Sequence, residues 1–547
     1  MTEPDGLEIA RRIHARDVSL WSTDTEAQSA IGQRLGWLDA PAWLKSNQGM
    51  LRDWAETIHT RGFERVVLLG MGGSSLAAEV LARIFGASGS GLPVVVLDDT
   101  HPDAVLAVVR SGDLATTLFL ASSKSGSTAE VSALLAYFWR ALENDGRRAG
   151  VNFAAVTDDG SALAQLACDR KFDQCFLNPV DIGGRYSALS AFGMVPAALL
   201  GVDLERLLAS ADAALNSSDP QSSSADHSAL ALGQMMGRAA LAGRDKLTVL
   251  LSSRLAPFAS WIEQLVAEST GKSGMGIVPI TGEALPIEAY GDDRMFAVVI
   301  LEGDCALQAR SEAIEAAGHP LVRHKLKDIY DIGGAFFHWQ FAVAVAGAVL
   351  GVNPFDEPDV SRSKATTIRL LNDPKMRDNS ELVTVAKDQG VVLRGLAASA
   401  PAGPSIRAQL ALFFRAVKPG DYLCVLPYLY IDEHLQRSLF DLIEVLRPAL
   451  NVPVTLNPGP RYLHSTGQLH KGGANSGVFL IFCAQTVGDL EIPGEPYTFG
   501  DLNRAQAEGD FVTLAEAGRR VLQVDLGESP RAAIETLADT AAQVLAP

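Results

Sequence analysis

The stretch "RVVLLGMGGSSLAAEVLARIFG", Arg65–Gly86, gives the clearest indication of the fold class. An apolar run ends in a Gly-rich turn, and the turn leads into a segment whose apolar residues have helical spacing. Thr116–Leu142 repeats the same order of strand, polar turn and helix in "TTLFLASSKSGSTAEVSALLAYFWRAL". Apolar strands that alternate with helices form parallel sheets with both faces covered. The sequence therefore predicts an α/β fold that begins near residue 61.

The same alternation recurs later in the chain and predicts two doubly wound, mainly parallel-sheet domains with helical extensions at both ends. Residues 380–484 either complete the second sheet or form a lobe of their own, and the sequence leaves both open. The predicted segments are, in chain order, an N-terminal helical segment (1–60), a first domain (61–200), a helical connection (201–245), a second, extended domain (246–484) and a C-terminal segment (485–547).

Composition and charge exclude several classes of protein. The chain has 547 residues, 48% of them hydrophobic and 20% charged, which is enough for a large buried core. Its formal net charge of −18 argues against a nucleic-acid partner, because a phosphate backbone is bound by a basic surface. The five cysteines contain no CxxC pair. We therefore predict neither a zinc site nor a disulfide framework, which fits a reducing cytoplasm.

No membrane association is predicted either. The longest apolar run, Phe341–Val352, is too short to span a bilayer and is better explained as a buried helix. The N-terminal residues are charged and lack the apolar centre of a signal peptide.

Hydroxyl-rich turns follow two predicted strands, in "GMGGSSL" and "SSKSGST". Ligands of parallel sheets bind at the carboxyl ends of the strands, where helix N-termini offer free N–H groups and a positive dipole end. The alternative is that these residues only cap helices and form turns. Two such turns in one sheet favour an anion site without a metal. The candidate residues are Gly73, Ser74, Ser123, Lys124, Ser125, Ser127 and Thr128.

Two further stretches supply candidate catalytic groups. Arg185 follows two glycines in "DIGGRYSALSAFG", where its permanent charge could stabilise a negative charge on a substrate. Glu268 stands at the end of a mostly apolar helix and is a candidate general base, because burial raises the pKa of a carboxyl group. The alternatives are a surface ion pair for Arg185 and a solvated helix end for Glu268.

The last candidates lie near the C-terminal half of the chain. Lys364 falls in a helix predicted to start at Pro358 or Asp359, and His464 lies in a Gly-rich turn, "RYLHSTGQLHKGG". A histidine there can shuttle protons near neutral pH, although a plain polar loop is the alternative. A sugar-phosphate pocket needs an anion cradle, a base, an acid pair for ring opening and a cation for the developing oxyanion. All four roles have candidates.

Together these stretches resemble the glucose-6-phosphate isomerase family, which is built from two sugar-isomerase domains. The opening and closing stretches of this chain look most like the isomerase half of fused transaldolase–isomerase proteins. The resemblance covers nearly the whole chain and is most specific in "GGRYS" and the "NPFD…K" block. The matching stretches are "GMGGSSL", "SSKSGSTAE", "GGRYSALS", "AESTGK", "NPFDEPDVSRSK" and "HSTGQLHKGG".

The resemblance implies a cofactor-free isomerase that interconverts glucose 6-phosphate and fructose 6-phosphate through a cis-enediol. By this resemblance, the serines and threonine of the two turns hold the phosphate, Arg185 stabilises the enediolate and Glu268 moves the proton between C1 and C2. Lys364 and a histidine open the ring. His464 is our first choice because "HSTGQ" looks like a family segment. In shorter members that segment precedes the "NPFD" block, so His319 remains a second candidate.

The chain also departs from the family pattern. Glu357 stands where the family usually has Gln, and this charge could lower affinity or mark another sugar, such as mannose 6-phosphate or a 6-sulfonated sugar. A non-catalytic phosphosugar sensor is the alternative from another class, but no basic DNA-binding module is apparent. The resemblance leaves open a homodimer and a functional link to a transaldolase, and it implies a cytoplasmic location.

Overall fold

The computed structural model describes residues 6–89, 91–224, 226–372, 382–388, 390–396, 405–486 and 488–546, without the side chains of 361–364 and 372. Its chain divides into two compact units. The first unit comprises Met1–Asp98 and Val108–Glu357, and the second comprises Asp99–Ala107 and Pro358–Pro547.

The elements of residues 6–350 follow the alternation predicted from the sequence. In chain order they are α1 (Gly6–His14), α2 (Thr25–Gly32), α3 (Ala40–Thr60), β1 (Arg65–Gly70), α4 (Leu76–Phe85), β2 (Val94–Leu97), α5 (Pro102–Arg110), β3 (Thr117–Ser122), α6 (Ala129–Asn144), β4 (Phe153–Asp158), α7 (Ala162–Asp169), β5 (Gln174–Asn178), α8 (Ala191–Leu199), α9 (Leu204–Ser218), α10 (Ser228–Leu241), β6 (Lys246–Leu251), α11 (Phe258–Thr270), β7 (Val278–Ile280), β8 (Arg294–Leu301), α12 (Cys305–Ala316), β9 (Leu321–Leu326) and α13 (Ile332–Leu350).

The first sheet is parallel and has the strand order β2-β1-β3-β4-β5. Every residue of β1 and β3 is buried, as expected for central strands covered by helices on both faces. The predicted α/β class is thereby confirmed. Gly70 at the end of β1 is in register with Ser122 at the end of β3, so the two Gly- and Ser-rich turns begin side by side.

The second sheet is also parallel, with the order β7-β6-β8-β9. One continuous apolar core joins it to the first sheet, so the first unit contains both. α13 is central to this core. The helical stretch Ile329–Leu350 is long and apolar enough to cross a membrane, but 89% of its apolar window is buried inside the protein. It is therefore a core helix, as predicted for Phe341–Val352.

The second unit has its own elements and its own apolar core. Its helices and strands from residue 358 onward are α14 (Pro358–Asn372), β10 (Leu382–Asp388), β11 (Val391–Leu396), α15 (Ile406–Arg415), β12 (Tyr422–Pro427), α16 (Glu433–Leu450), β13 (Val454–Leu456), α17 (Gly467–Gly472), β14 (Gly477–Cys483), α18 (Phe499–Glu516), β15 (Arg520–Asp525) and α19 (Pro530–Leu545).

These strands form a third sheet, which corrects the predicted boundary at residue 484. Its order is β10-β11-β15-β14-β12-β13, in which β15 pairs parallel with β14 and antiparallel with β11. The strands of the predicted second domain, 246–484, are therefore divided between the second and third sheets. The predicted C-terminal segment contributes β15, an inner strand of the third sheet. Strand pairing depends on contacts between distant residues, which local hydrophobic patterns do not reveal.

Candidate active site

The two hydroxyl-rich turns are joined at the carboxyl edge of the first sheet. Ser122 Oγ, at the end of β3, donates a hydrogen bond to the carbonyl oxygen of Ser74 at 2.6 Å. Ser74 lies in a short 3-10 turn, Gly72–Ser74, between β1 and α4. The edge predicted to bind an anion is thus built from both turns together.

The first turn also contacts the segment that carries Arg185. A Cβ atom on Gly73 would lie 2.2 Å from the carbonyl carbon of Gly184 and 2.7 Å from the Arg185 nitrogen. Ser187 Oγ donates to the Gly184 oxygen at 2.6 Å and lies 3.2 Å from the Gly73 oxygen. Gly73 therefore permits the first turn and the segment of Arg185 to touch through their main chains.

We expect Gly73→Ala to reduce both stability and activity. The added methyl group collides with main chain and not with the end of a flexible side chain, so the 184–185 segment must shift, at a cost of about 1–3 kcal/mol. Urea unfolding and turnover would measure the two effects. Gly49→Ala in α3 is the control, because its Cβ meets nothing within 4 Å and should be neutral or slightly stabilising. Equal behaviour of the two variants would contradict this view of Gly73.

The second turn is organised by hydrogen bonds among its own hydroxyl groups. Ser123 Oγ and Thr128 Oγ1 lie 2.9 Å apart, and Ser127 Oγ donates to Ser125 Oγ at 3.0 Å. Ser125 and Ser127 are exposed, whereas Ser123 is buried. Thr128 is the residue immediately before α6. Exposed hydroxyl groups in front of a helix N-terminus are suited to an anion.

Lys124 of the same turn is already paired. Its Nζ donates to Asp158 Oδ2 and to the Val180 carbonyl oxygen, the latter at 2.9 Å. Burial raises the pKa of Asp158, although Lys124 opposes the shift. The lysine charge therefore serves in part to hold neighbouring loops together.

Arg185 is 3% exposed, and its guanidinium group is fully engaged. Nε donates to Ser269 Oγ at 2.9 Å, and Nη2 donates to the carbonyl oxygens of Pro354 and Asp356 at 2.7 and 2.8 Å. Nη1 donates to Glu357 Oε2 at 3.0 Å. The surface ion pair considered from the sequence is thus excluded, because Arg185 is buried and connects α11 to the 354–357 segment.

Glu268 lies beside this guanidinium group in the last turn of α11. Its Oε1 is 3.4 Å from Arg185 Nη1, and Gln264 Nε2 donates to its Oε2 at 3.1 Å. Burial raises the pKa of Glu268 to about 7, a shift that Arg185 opposes. A solvated helix end is excluded, because the carboxyl group is buried. It can exchange a proton near neutral pH.

The sequence did not predict a role for two residues of this cluster, Lys272 and Gln264. Lys272 Nζ lies 2.7 Å from Asp356 Oδ1 and also donates to the Asn353 carbonyl oxygen. Burial lowers the pKa of Lys272 to about 8. Gln264 could have been found from its spacing, because residues four apart share one helix face. Lys272 stood in the quoted stretch "AESTGK", but its contact with residues 353–356 is not a local signal.

Lys364 and His464 belong to the second unit. Lys364 lies in α14, which begins at Pro358 as predicted, but its side chain is outside the described residues. His464 is half-buried in a 3-10 turn, Arg461–His464, that contacts α14. The predicted Gly-rich turn is therefore partly helical. Gln468 in α17 makes two hydrogen bonds to Asp359 in α14. The main-chain nitrogen of Asp359 donates to Gln468 Oε1 at 2.9 Å, and Gln468 Nε2 donates to Asp359 Oδ2 at 2.7 Å. These bonds link the two predicted ring-opening segments.

The second histidine candidate has a different environment. His319 precedes β9 and stacks edge-on against Phe296 and Tyr290, in a small apolar cluster of the second sheet. Burial lowers its pKa. Among the residues that the structure describes, no three His, Cys, Asp or Glu side chains are grouped as metal ligands.

Residues 50–283 match the family model of phosphoglucose isomerase. Over this stretch, which is less than half of the chain, the protein is similar to phosphoglucose isomerases. Both hydroxyl-rich turns, Arg185 and Glu268 lie inside the matched phosphoglucose isomerase region, and Glu357, Lys364 and His464 lie beyond it.

Individual proteins show the same similarity. A glucose-6-phosphate isomerase of Thermus thermophilus is 28% identical over 393 residues, which cover 62% of this chain and 91% of that protein. One from Enterococcus faecalis is 25% identical over 407 residues, covering 64% and 89%.

Two solved structures share the fold. A hypothetical protein from Thermus thermophilus has a TM-score of 0.59 at 27% identity and covers 67% of this chain and 95% of its own. A glucose-6-phosphate isomerase from Chlamydia trachomatis has a TM-score of 0.52 at 21% identity, with coverage of 68% and 80%.

Proposed function

We propose that this protein is a glucose-6-phosphate isomerase, which interconverts glucose 6-phosphate and fructose 6-phosphate through a cis-enediol. One observation carries the proposal. Within the family-matched region, a buried carboxyl group with a pKa of about 7, Glu268, lies 3.4 Å from the guanidinium group of Arg185. A base is most effective when its pKa lies near the working pH.

The proposed reaction uses this pair directly. The Glu268 carboxylate takes the proton from C2 of open-chain glucose 6-phosphate, and the C2–H electron pair forms the C1=C2 double bond. The electrons of the C1 carbonyl move onto O1, where Arg185 stabilises the negative charge. The proton of O2 passes to O1, which becomes a hydroxyl group, and the electron pair left on O2 forms the C2 carbonyl as Glu268 returns its proton to C1. No oxidant or reductant is needed.

We assign the phosphate group to the two hydroxyl-rich turns. Ser125 and Ser127 are exposed and stand in front of α6, whose free N–H groups and positive dipole end favour an anion. Ser74, Ser123 and Thr128 are the other predicted hydroxyl groups, and the predicted set also includes Gly73 and Lys124. Since Lys124 is paired with Asp158, the helix terminus and the hydroxyl groups supply most of the attraction.

Ring opening is assigned to Lys364 and His464. The contact between the turn of His464 and α14, and the bonds of Gln468 to Asp359, support this choice over His319. We expect His464→Asn to lower turnover by about 10²-fold or more, because a positioned proton donor is lost. His319→Asn is the matched control and should stay near wild type. A loss in the His319 variant alone would reassign the role.

Fructose 6-phosphate turnover, coupled to glucose-6-phosphate dehydrogenase, is the test of the function. Production of glucose 6-phosphate is the expected result. Competition with mannose 6-phosphate and with a 6-sulfonated glucose would rank the alternative sugars, since sulfonate and phosphate are both tetrahedral oxyanions. Tight phosphosugar binding without any turnover would instead identify a sensor.

Assembly and location form the outer part of the proposal. The family resemblance supports a homodimer in the cytoplasm, which light scattering and fractionation of the native cell would test. The likeness of the opening stretch to fused transaldolase–isomerase proteins supports a functional link to a transaldolase. Full activity of the isolated protein, with no transaldolase recovered in a pull-down, would remove that link.

A further inference from the structure

A second carboxylate shares the guanidinium nitrogen that faces Glu268. Nη1 of Arg185 lies 3.0 Å from Glu357 Oε2 and 3.4 Å from Glu268 Oε1. The nearer partner is Glu357, the position at which the sequence departs from the Gln of the family pattern. The hydrogen bond of Nη1 is made to Glu357 and not to Glu268.

The two carboxylates differ in their access to water. The Glu357 side chain is 42% exposed, whereas that of Glu268 is 9% exposed. The other donors of Arg185 are held by Ser269 and by carbonyl oxygens of the 354–356 segment. The guanidinium group therefore cannot turn toward Glu268 without breaking those bonds.

We propose that Glu357 is a positioning residue that competes with Glu268 for Arg185 and so controls how readily the proposed base holds its proton. A negative charge at Glu357 disfavours a second one at Glu268, and it also takes the hydrogen bond that would favour the ionised base. The kinetic readout of this inference rests on the proposed function, but the ionisation of Glu268 itself does not.

Glu357 shifts the pKa of Glu268 in the direction that this proposal requires. Glu357 raises the pKa of Glu268 in addition to the effect of burial, while Arg185 and Lys272 lower it. The protein around Glu357 partly removes it from water, which by itself would raise its pKa, but its cationic neighbours lower the pKa below its ordinary value, so Glu357 stays ionised at neutral pH. The charged or titratable groups that face the two carboxylates are Arg34, Arg185, Tyr186 and Lys272, with Asp356 bonded to Lys272.

Glu357→Gln tests the proposal, because the amide keeps an oxygen for Arg185 and removes only the charge. We expect the acid limb of kcat/KM, near pH 7 in the wild type, to move about one pH unit lower. Glu357→Asp keeps the charge and should stay closer to wild type. The phosphate of the substrate titrates near pH 6 in every variant, so it cancels in the comparison.

A matched control removes an equal charge from an exposed pair. Glu315→Gln breaks the ion pair with Arg323, in which the glutamate side chain is 57% exposed, and should leave the acid limb unchanged. An unmoved acid limb in Glu357→Gln, or equal shifts in the Gln and Asp variants, would overturn the proposal.

A direct titration separates this proposal from the proposed function. Carbon-13 NMR of the Glu268 carboxyl, assigned with Glu268→Gln, reports ionisation without any turnover. If the wild type converts no sugar phosphate, the proposed function fails. A lower titration midpoint in Glu357→Gln would still support the competition for Arg185, and an unchanged midpoint would refute it.

Discussion

Glu268→Gln is expected to lower turnover by about 10²–10⁴-fold and to leave phosphosugar binding nearly intact. The amide keeps the shape of the side chain and an oxygen 3.4 Å from Arg185 Nη1 in the native geometry, but it cannot accept the substrate proton. Coupled turnover and calorimetric binding of a phosphosugar measure the two quantities. Surviving turnover would keep the reaction and move the base to another residue.

Glu263→Gln is the matched control for this variant. It is the same substitution on the same helix, at a half-buried position five residues earlier, and turnover should change little. Parallel losses in both variants would point to damage of α11 and not to loss of a base.

Glu268→Gln should also change how the free energy of unfolding depends on pH, and this effect can be measured without any activity assay. Burial raises the pKa of Glu268 from 4.5 to about 7, so the native state holds a proton that the unfolded state releases between these values. The contribution of this group is therefore fully present below pH 4.5 and is lost as the pH rises toward 7. Relative to Glu268→Gln, the wild type should lose up to about 3 kcal/mol across this range.

Arg185→Lys is expected to lower kcat/KM by about 10²–10³-fold, because the preorganised charge beside the proposed base is displaced. A lysine cannot reproduce the planar set of donors. The bonds to Ser269 and to the carbonyl oxygens of Pro354 and Asp356 cannot all be kept. Stability should also fall, since two carboxylates lose their shared partner. Turnover per folded molecule, corrected by circular dichroism, is the measurement.

Arg294→Lys separates catalysis from stability. Arg294 forms a buried pair with Glu283 at 2.6 Å and is bonded to Thr248, away from Glu268 on the second sheet. We expect this variant to melt at a lower temperature and to retain turnover per folded molecule. If Arg185→Lys behaved in the same way, Arg185 would be a structural residue only.

Much of the candidate site could be predicted from the sequence, because its residues lie in short stretches with recognisable local patterns. The strand–turn–helix order around residues 65–86 and 116–142 placed both hydroxyl-rich turns. The apolar spacing before Glu268 made a buried carboxyl at a helix end one of two interpretations, the other being a solvated helix end. The sequence left the role of Glu357 open, because it shows an additional negative charge but not the cationic residue that pairs with it.

Hydrophobic periodicity over ten to twenty residues was enough to predict the α/β class and the strand–turn–helix order at both hydroxyl-rich turns, and the quoted stretches supplied the residue types of the candidate site. The three-dimensional structure was needed to show that residues 246–484 contribute to two sheets and that β15 lies inside the third. It alone brought Arg185 to Ser269, 84 residues away, and to Glu357, 172 residues away. Such pairs are selected by burial and charge compensation in three dimensions, and a local sequence pattern contains no information about either.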